Sequence, residues 1–548
     1  MRCYSMGFQK NAFQQITLTD RMNTLTERER RFLDNSWAKP FAEKIFPKIN
    51  EEKFEVLYCN DNGRPNTPVN IIIGSLLLKE LTGITDEDLL ESIILDIRYQ
   101  YALHLTSCEE IPFSDRTVSR FRERLYWHEM DTGEDLIKEE ITRLSSEFAE
   151  LMNISGNLKR MDSVMVSSSC KDMGRLELIY TCVSNLVKAL VKAGETGKLP
   201  EHLLKYAEES DKNSVCYRLE KDELPKKLEE VTANALELFK IAEELNAGYD
   251  EFQLLERLLD DQTEAGKLKP NNQISPKSLQ NPSDEDATFR RKAGKGYHGY
   301  VANFIEDCGE NGNIITDYDY DVNVHSDTDF AAETIEKLGP QEERTIVITD
   351  GAYASDENFK AAEENNIELV ATALTGKKPP KIVLEFQIEE NTIKTCPEGH
   401  TPIESSYSEE KEQYTAYFDK NTCESCPRRE ECPVTIQKKR AVVKLSTTAV
   451  ERARYSEMLS TEDYKAFARK RNGVEGIPSI LRRRYRIDEM PVRGLVRSKM
   501  WFGFKIGAIN VKRVIVATLF QHKKVGFCEI FENILFALKT RMCYYCFA

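Results

Sequence analysis

Three acidic residues far apart in the chain, Asp162, Asp350 and Glu475, stand where carboxylates could do metal chemistry. Asp162 enters a short strand-like run through Val164, Met165 and Val166, and Asp350 follows the apolar run 345–349. Ligands gather at the carboxyl ends of strands in open α/β sheets, which suits Asp350, although Asp350-Gly351 is also a common turn pair. Glu475 closes the run Arg471-Asn472-Gly473-Val474-Glu475 and has no other acid within ten residues on either side. At 3.6 residues per turn, Arg471, Glu475 and Arg482 share roughly one helix face. The plainer reading of Arg471 and Glu475 is a surface i, i+4 pair worth about 0.3–0.5 kcal/mol. Pro478 removes a helix hydrogen bond, so a helix starts or kinks there. Two aspartates and a glutamate meeting at a sheet edge would instead hold two divalent cations. Hard oxygen ligands favour Mg2+ (or Mn2+), and such a pair activates water and stabilises a leaving oxygen on phosphorus.

A second group has softer chemistry. Cys423-x2-Cys426-x5-Cys432, preceded by Cys396-Pro397-Glu398-Gly399-His400, places four thiols and an imidazole in one short stretch. Paired Cys-x2-Cys with further Cys or His at a distance is the spacing of tetrahedral structural Zn2+. The expected ligands are Cys396, Cys423, Cys426 and Cys432, with His400 able to replace one of them; unliganded thiols are the alternative. The remaining cysteines of the 14 are scattered, which suits reduced thiols better than a disulfide scaffold.

The elements that must position these groups can be read from hydrophobic period and punctuation. The first 150 residues read as helical: Thr67-Pro68 opens a helix that Gly83 ends, Thr85 to Asp88 resembles a capping box, and Ser114 caps a segment from Asp115 to Leu125. That third segment carries Arg116, Arg120, Arg122 and Arg124, as a groove-reading helix or a solvated amphipathic one would. Strand-like text begins near residue 157, is interrupted by charged helical text over 172–265, and resumes at 297–305 and 313–322 around Asn311-Gly312, a hairpin signal. Helix 328–338, strand 345–349, helix 356–365 and strand 367–372 follow. A first strand, a hairpin and then parallel crossovers make a mixed α/β sheet of RNase H-like topology.

Length and charge set the frame. A chain of 548 residues exceeds one ordinary core, so about three folded units are expected. Its 41% apolar and 30% charged residues exclude wholesale disorder. No run approaches the ~20 apolar residues of a membrane span, and Met1 to Tyr4 open no apolar signal core, so a cytoplasmic protein is expected. The net charge of −15 argues against a nucleic-acid partner, but its distribution argues for one. Residues 201–264 hold 18 acidic and 8 basic side chains, whereas residues 465–513 hold 14 basic and 3 acidic. So uneven a block creates a local field that the total conceals, although a solvated helix face is the plain alternative.

Three blocks, Met161-Asp162-Ser163, Ile348-Thr349-Asp350-Gly351-Ala352-Tyr353 and Arg471 to Glu475, together resemble the DDE transposases of bacterial insertion sequences. A signature of that family is Tyr-x2-Arg-x3-Glu-x6-Lys, which falls here on Ala468, Arg471, Glu475 and Arg482. Arginine keeps the charge of the lysine, and alanine departs from the tyrosine. Gly63-Arg64-Pro65, Gly296-Tyr297-His298-Gly299-Tyr300 and the stretch from Arg493-Gly494 to Asn510 extend the resemblance over most of residues 60–520.

The resemblance implies catalytic Asp162, Asp350 and Glu475 on two Mg2+ ions. It implies cleavage and strand transfer of double-stranded DNA at element ends, and a homodimer on that DNA in a nucleoid-associated cytoplasmic protein. Arg471, Arg482, Arg483, Arg484, Arg493 and Lys499 become candidates for phosphate contact. The expected organisation is a helical DNA-binding and assembly domain at 1–150, an RNase H-like core at 151–171 and 281–378, an acidic helical insertion at 172–280, a Cys-rich zinc insertion at 379–450, and a helical part with the glutamate at 451–548. The alternatives are a transposase-derived DNA-binding protein that no longer cleaves and an RNase H-like nuclease without strand transfer. The Cys543-Tyr544-Tyr545-Cys546 stretch has no assigned role.

Overall fold

The computed structural model describes residues 6–11, 20–59, 64–108, 113–218, 220, 222–245, 248–292, 294–374 and 380–519. Residues 1–4, Gly63 and residues 543–546 lie outside them. The helical opening forms as its signals require. α1 (Val69–Thr82) is apolar on nearly every side and therefore buried, and Gly83 ends it in the left-handed region. Pro68 is its N-cap rather than its first helical residue. α2 (Asp86–Leu95) starts at a capping box between Thr85 and Asp88. α3 (Asp115–Thr132) runs a further two turns past Leu125, and α4 (Leu136–Leu151) returns along the sheet. On α3, Arg122 pairs with Asp86, and the buried Arg124 lies 4.7 Å from the centre of the Tyr58 ring. Those two arginines are therefore engaged inside the protein.

The central sheet is mixed. β1 (Leu158–Ser167) pairs antiparallel with the long β3 (Lys295–Gly309), which pairs with β4 (Gly312–Val322) across the turn Glu310-Asn311. On its other side β1 runs parallel to β5 (Thr345–Thr349), which is parallel to β6 (Ile367–Ala371). The strand order β6–β5–β1–β3–β4 is the RNase H-like order expected from the sequence. β2 (Thr288–Lys292), which the sequence pattern did not reveal, pairs with the first residues of β3. The backbone folds sharply at Gly299, where φ is +142° and an added Cβ would lie 2.3 Å from the Val166 carbonyl oxygen. Only glycine fits that approach.

The segment between β1 and β2 carries α5 (Arg175–Lys192), α6 (Leu224–Glu244) and α7 (Asp250–Gln262), which enclose a core of their own around Tyr180, Tyr206, Leu238 and Leu258. Crossovers α8 (Asp327–Leu338) and α9 (Asp356–Glu364) cover one sheet face, with Phe330 of α8 in one core with Met161 and Val301 of the sheet. The opposite face, through Val164, Ala302 and Phe304, shares one continuous core with α1, α4 and the terminal helix.

After the central sheet comes a four-stranded antiparallel sheet of order β7–β8–β10–β9: β7 (Glu404–Ser408), β8 (Gln413–Phe418), β9 (Val434–Ile436) and β10 (Ala441–Ser446). Cys396 precedes its first strand, and Cys423, Cys426 and Cys432 lie between β8 and β9. α10 (Thr447–Met458), α11 (Glu462–Arg471), α12 (Gly476–Arg483) and α13 (495–519) return to the central sheet. The buried Asn510 of α13 accepts from the Ile315 N–H at 3.0 Å and donates to the Ile315 carbonyl at 2.7 Å, locking α13 to β4. No helix among the described residues is long and apolar enough to cross a membrane.

Candidate active site

The ladder between β1 and β5 is short: Leu158 faces Ile346, Lys159 faces Val347, Arg160 faces Ile348, and pairing stops. Continuing the register would set Asp162 beside Asp350. Parallel partners in register point to the same face. Asp162 accepts from the Ser163 N–H at 2.9 Å, and Asp350 accepts from the Ala352 N–H at 2.8 Å in the turn after β5. Both carboxylates are thus held by backbone within their own segments.

Glu475 arrives from a break in the chain. Arg471, Glu475 and Arg482 do not share a single helix face: α11 ends at Arg471, a turn follows, and Glu475 is the N-cap of α12, which starts just before Pro478. The turn allows a contact that a straight helix would block. Arg160 on β1 donates to the Lys470 carbonyl at 2.6 Å, and a Cβ added to Gly473 would lie 2.1 Å from the same guanidinium nitrogen. Arg160 is itself fixed by the buried Glu306, which also accepts from Arg513 at 2.6 Å. Breaking such a buried pair from one side costs about 3–5 kcal/mol, so this clamp holds the turn rigidly against β1.

Between the three carboxylates lies the Arg471 guanidinium. Nη2 stands 3.8 Å from Asp162 and 3.9 Å from Asp350, and Nη1 donates to Glu475 at 2.8 Å. Asp162 and Arg471 are only 13% and 14% exposed, whereas Glu475 is 56% exposed. Burial pushes the Asp162 carboxyl up to about 6, against the pull of Arg471 and the Ser163 N–H, with the charge of Asp350 adding to the rise. Arg471 Nε is buried without a hydrogen-bond partner. The site is therefore an acidic pocket closed by an internal cation that does not satisfy it fully.

The other basic candidates lie elsewhere. Arg482 donates to Asp488 at 3.0 Å and to the Met165 carbonyl at 3.1 Å. Arg483 and Arg484 line a cleft of about 740 Å3 between α12 and α13 with Lys512 and Arg513, and Arg484 donates to the Leu81 carbonyl at 2.9 Å. Arg493 is exposed. Lys499 is paired with Glu129 and lies 3.4 Å from Asp135, and Lys505 is buried against Glu80 at 2.8 Å. Lys499 and Lys505 of the basic block thus neutralise acids of the helical N-terminal region.

The four thiols Cys396, Cys423, Cys426 and Cys432 are free and line, with His400, a small cavity of about 30 Å3. The Cys396 N–H donates to the His400 carbonyl at 2.9 Å, and the Gly399 N–H to the Cys396 carbonyl at 2.8 Å, closing a tight knuckle. Burial pushes the Cys423 thiol up to about 11, with the facing Cys432, Cys396 and Cys426 adding to it. Among the described residues, no three His, Cys, Asp or Glu side chains stand at the spacing of a formed metal centre, in either group.

Sequence reasoning missed Arg160, Asp327 and Lys292. Arg160 directly precedes the Met161-Asp162-Ser163 block, but nothing local shows that its partner is 310 residues away. Asp327, buried at the start of α8, accepts from Ser163 Oγ at 2.9 Å. The run Arg290-Arg291-Lys292 was a visible signal of β2 that the more obvious Asn-Gly hairpin overshadowed.

Two family models match the chain. One, described as a transposase DDE domain, covers residues 395–515, from the first knuckle cysteine through the Glu475 turn and most of α13. The other, described as a transposase domain, covers residues 28–124 of the helical N-terminal region. No curated protein and no solved structure matches. The two matches fall in the expected order on either side of the RNase H-like sheet, and together they support an insertion-sequence DDE transposase.

Proposed function

We propose that this transposase cuts double-stranded DNA at the ends of its element and joins the freed ends to target DNA, with Asp162, Asp350 and Glu475 as the catalytic carboxylates. One observation carries the reading: a single guanidinium, on Arg471, reaches all three. Carboxylates this close repel one another unless a cation lies among them. The donor set, hard oxygens around a buried and incompletely balanced pocket, fits Mg2+ or Mn2+. A pair of such ions would supply charge stabilisation on phosphorus and a water reactive at neutral pH.

The residues of the chain have separable tasks. Asp162 and Asp350, fixed on adjoining strands, would supply the shared oxygens, and Glu475 on its turn would complete the site from the exposed side. Arg471 would swing from the carboxylates towards the scissile phosphate, where its planar fork matches phosphate oxygens. In cleavage, water oxygen bonds to phosphorus and the 3′-oxygen leaves. In joining, that 3′-hydroxyl attacks a target phosphorus and expels its 3′-oxygen partner. Arg483 and Arg493 are exposed candidates for phosphate contact; Arg482, Arg484 and Lys499 would need to leave their present partners. Two ends must be joined in concert, which calls for a homodimer on DNA.

We further propose a structural Zn2+ on Cys396, Cys423, Cys426 and Cys432, with His400 as the substitute. A cavity the size of one small ion, lined by soft thiol donors, supports it. The test of the catalytic reading is excision and strand transfer from a plasmid carrying the element ends, with Asp162→Ala, Asp350→Ala and Glu475→Ala. Each should abolish both products; wild-type activity in any one of them removes that residue from the mechanism.

A further inference from the structure

The hairpin β2–β3 is a basic finger whose place in the fold is set by contacts rather than by the strand direction. Arg290, Arg291, Lys292 and Lys295 occupy its two arms without one acidic residue between Thr288 and Tyr300. Beyond Gly299, β3 has lost β1 as a partner, and only β2 pairs with it. Asp162 faces Phe304 and Lys292 faces Lys295, so a straight ribbon would carry Lys292 about 30 Å from Asp162 along the strand. Instead the Lys292 ammonium lies 3.9 Å from Asp327, whose carboxylate accepts from Ser163, the neighbour of Asp162. The ribbon therefore folds back beside the carboxylate pocket. The Lys292 charge acts on the Asp162 carboxyl and lowers it.

Three features of the finger are those of a surface for a polyanion. Lys292 is 49% exposed. Arg291 and Lys295 are exposed and, among the described residues, have no carboxylate within ion-pairing distance. Phe289 is 41% exposed on the same ribbon, an aromatic face available to a sugar or base. Arg290, by contrast, is anchored, donating to the His325 carbonyl at 3.0 Å and lying 3.6 Å from Asp327, so the finger has a fixed root and exposed charged tips.

We propose that this finger is a second DNA-binding surface, in which Arg291, Lys292 and Lys295 hold backbone phosphates beside the carboxylate pocket. It rests on the reading of the pocket as the place where a DNA strand is cut. The phosphate-holding charge would then come from the finger as well as from residues 465–513.

The test is fluorescence anisotropy of a labelled random-sequence DNA duplex without added divalent ions, over a salt series, for the wild type and for R291A/K292A/K295A. Neutralising the finger should weaken binding at least tenfold and flatten the salt dependence by about one unit of slope per cation removed. The charge-retaining R291K/K292R/K295R should bind like the wild type. Equal affinity and slope in the neutralised protein would overturn the proposal, and so would equal loss in the charge-retaining one, which would mark a folding defect. A wild type that binds through the finger but never nicks DNA overturns the catalytic reading and leaves the finger standing. A wild type without salt-dependent binding overturns both.

Discussion

Asp162 and Asp350 occupy the rungs at which β1 and β5 have just ceased to pair, Arg160 opposite Ile348 being the last rung. Like charges directly opposite each other destabilise a sheet, and here the strands separate where two aspartates would otherwise face. The gap receives the Arg471 guanidinium. The pocket thus exists because the ladder fails where the two aspartates would otherwise face each other.

Keeping Asp162 ionised in this setting destabilises the metal-free protein. Its carboxyl, ordinarily near 3.8, is raised to about 6, so the folded state binds the proton more tightly than the unfolded one. The penalty is absent below about pH 4, grows as pH rises towards 6, and is complete above it; two units correspond to about 3 kcal/mol. Asp162→Asn should therefore raise the metal-free melting temperature at pH 8 and lose that advantage at pH 4. A gain of equal size at both pH values would contradict this account.

On the proposed mechanism, Arg471 and divalent ions would compete for the same oxygens. Removing the guanidinium in Arg471→Ala should tighten Mn2+ binding by about tenfold at pH 8, equivalent to 1.4 kcal/mol, while abolishing cleavage. Isothermal titration in the absence of DNA measures the affinity directly. Weaker Mn2+ binding in the variant would mean that Arg471 organises the carboxylates rather than blocking them.

Gly473 sets the approach of the Glu475 turn to Arg160. Gly473→Ala should push Arg160 away from the Lys470 carbonyl and misplace Glu475 by a fraction of an ångström to one ångström. A misplacement of that size costs on the order of 100-fold in rate. Cleavage should fall accordingly while duplex affinity, read by anisotropy, stays within twofold. Undiminished cleavage would show that the turn adapts.

Lys499 and Arg493 should separate cleanly although both belong to the basic block. Lys499→Ala leaves Glu129 and Asp135 without their cation and should cost about 2 kcal/mol of stability, with an unchanged salt slope for DNA binding. Arg493→Ala should do the reverse, leaving the melting temperature unaltered and flattening the slope by about one unit. Identical behaviour of the two would refute the division of the block into internal and external charge.

The cysteine knuckle makes a compositional claim. Purified protein should carry one zinc per chain by elemental analysis, and Cys423→Ser or Cys426→Ser should lose it. Proteolysis of the zinc-free protein should then open the 396–432 region first, since its small core depends on the closed knuckle more than the central sheet does. Zinc-free wild-type protein with an intact, protease-resistant knuckle would dismiss the metal.

Much of this was legible in the residues alone. Hydrophobic period, capping signals at Thr85 and Ser114, and the order of runs after residue 157 are local properties, and they fixed the helices, most of the central strands and the RNase H-like order. Residue type and spacing also singled out the three carboxylates and the clustered thiols. Tertiary structure alone decided that Arg471 lies among the carboxylates, that a turn delivers Glu475, that Arg160 clamps that turn, that Lys499 is neutralised by α3 and its neighbour Asp135, and that β2 folds back beside Asp162. Each of these depends on partners brought together across long stretches of chain. Charge in a sequence reads as a sum, whereas its effect depends on which opposite charge lies within a few ångströms and how much water remains between them.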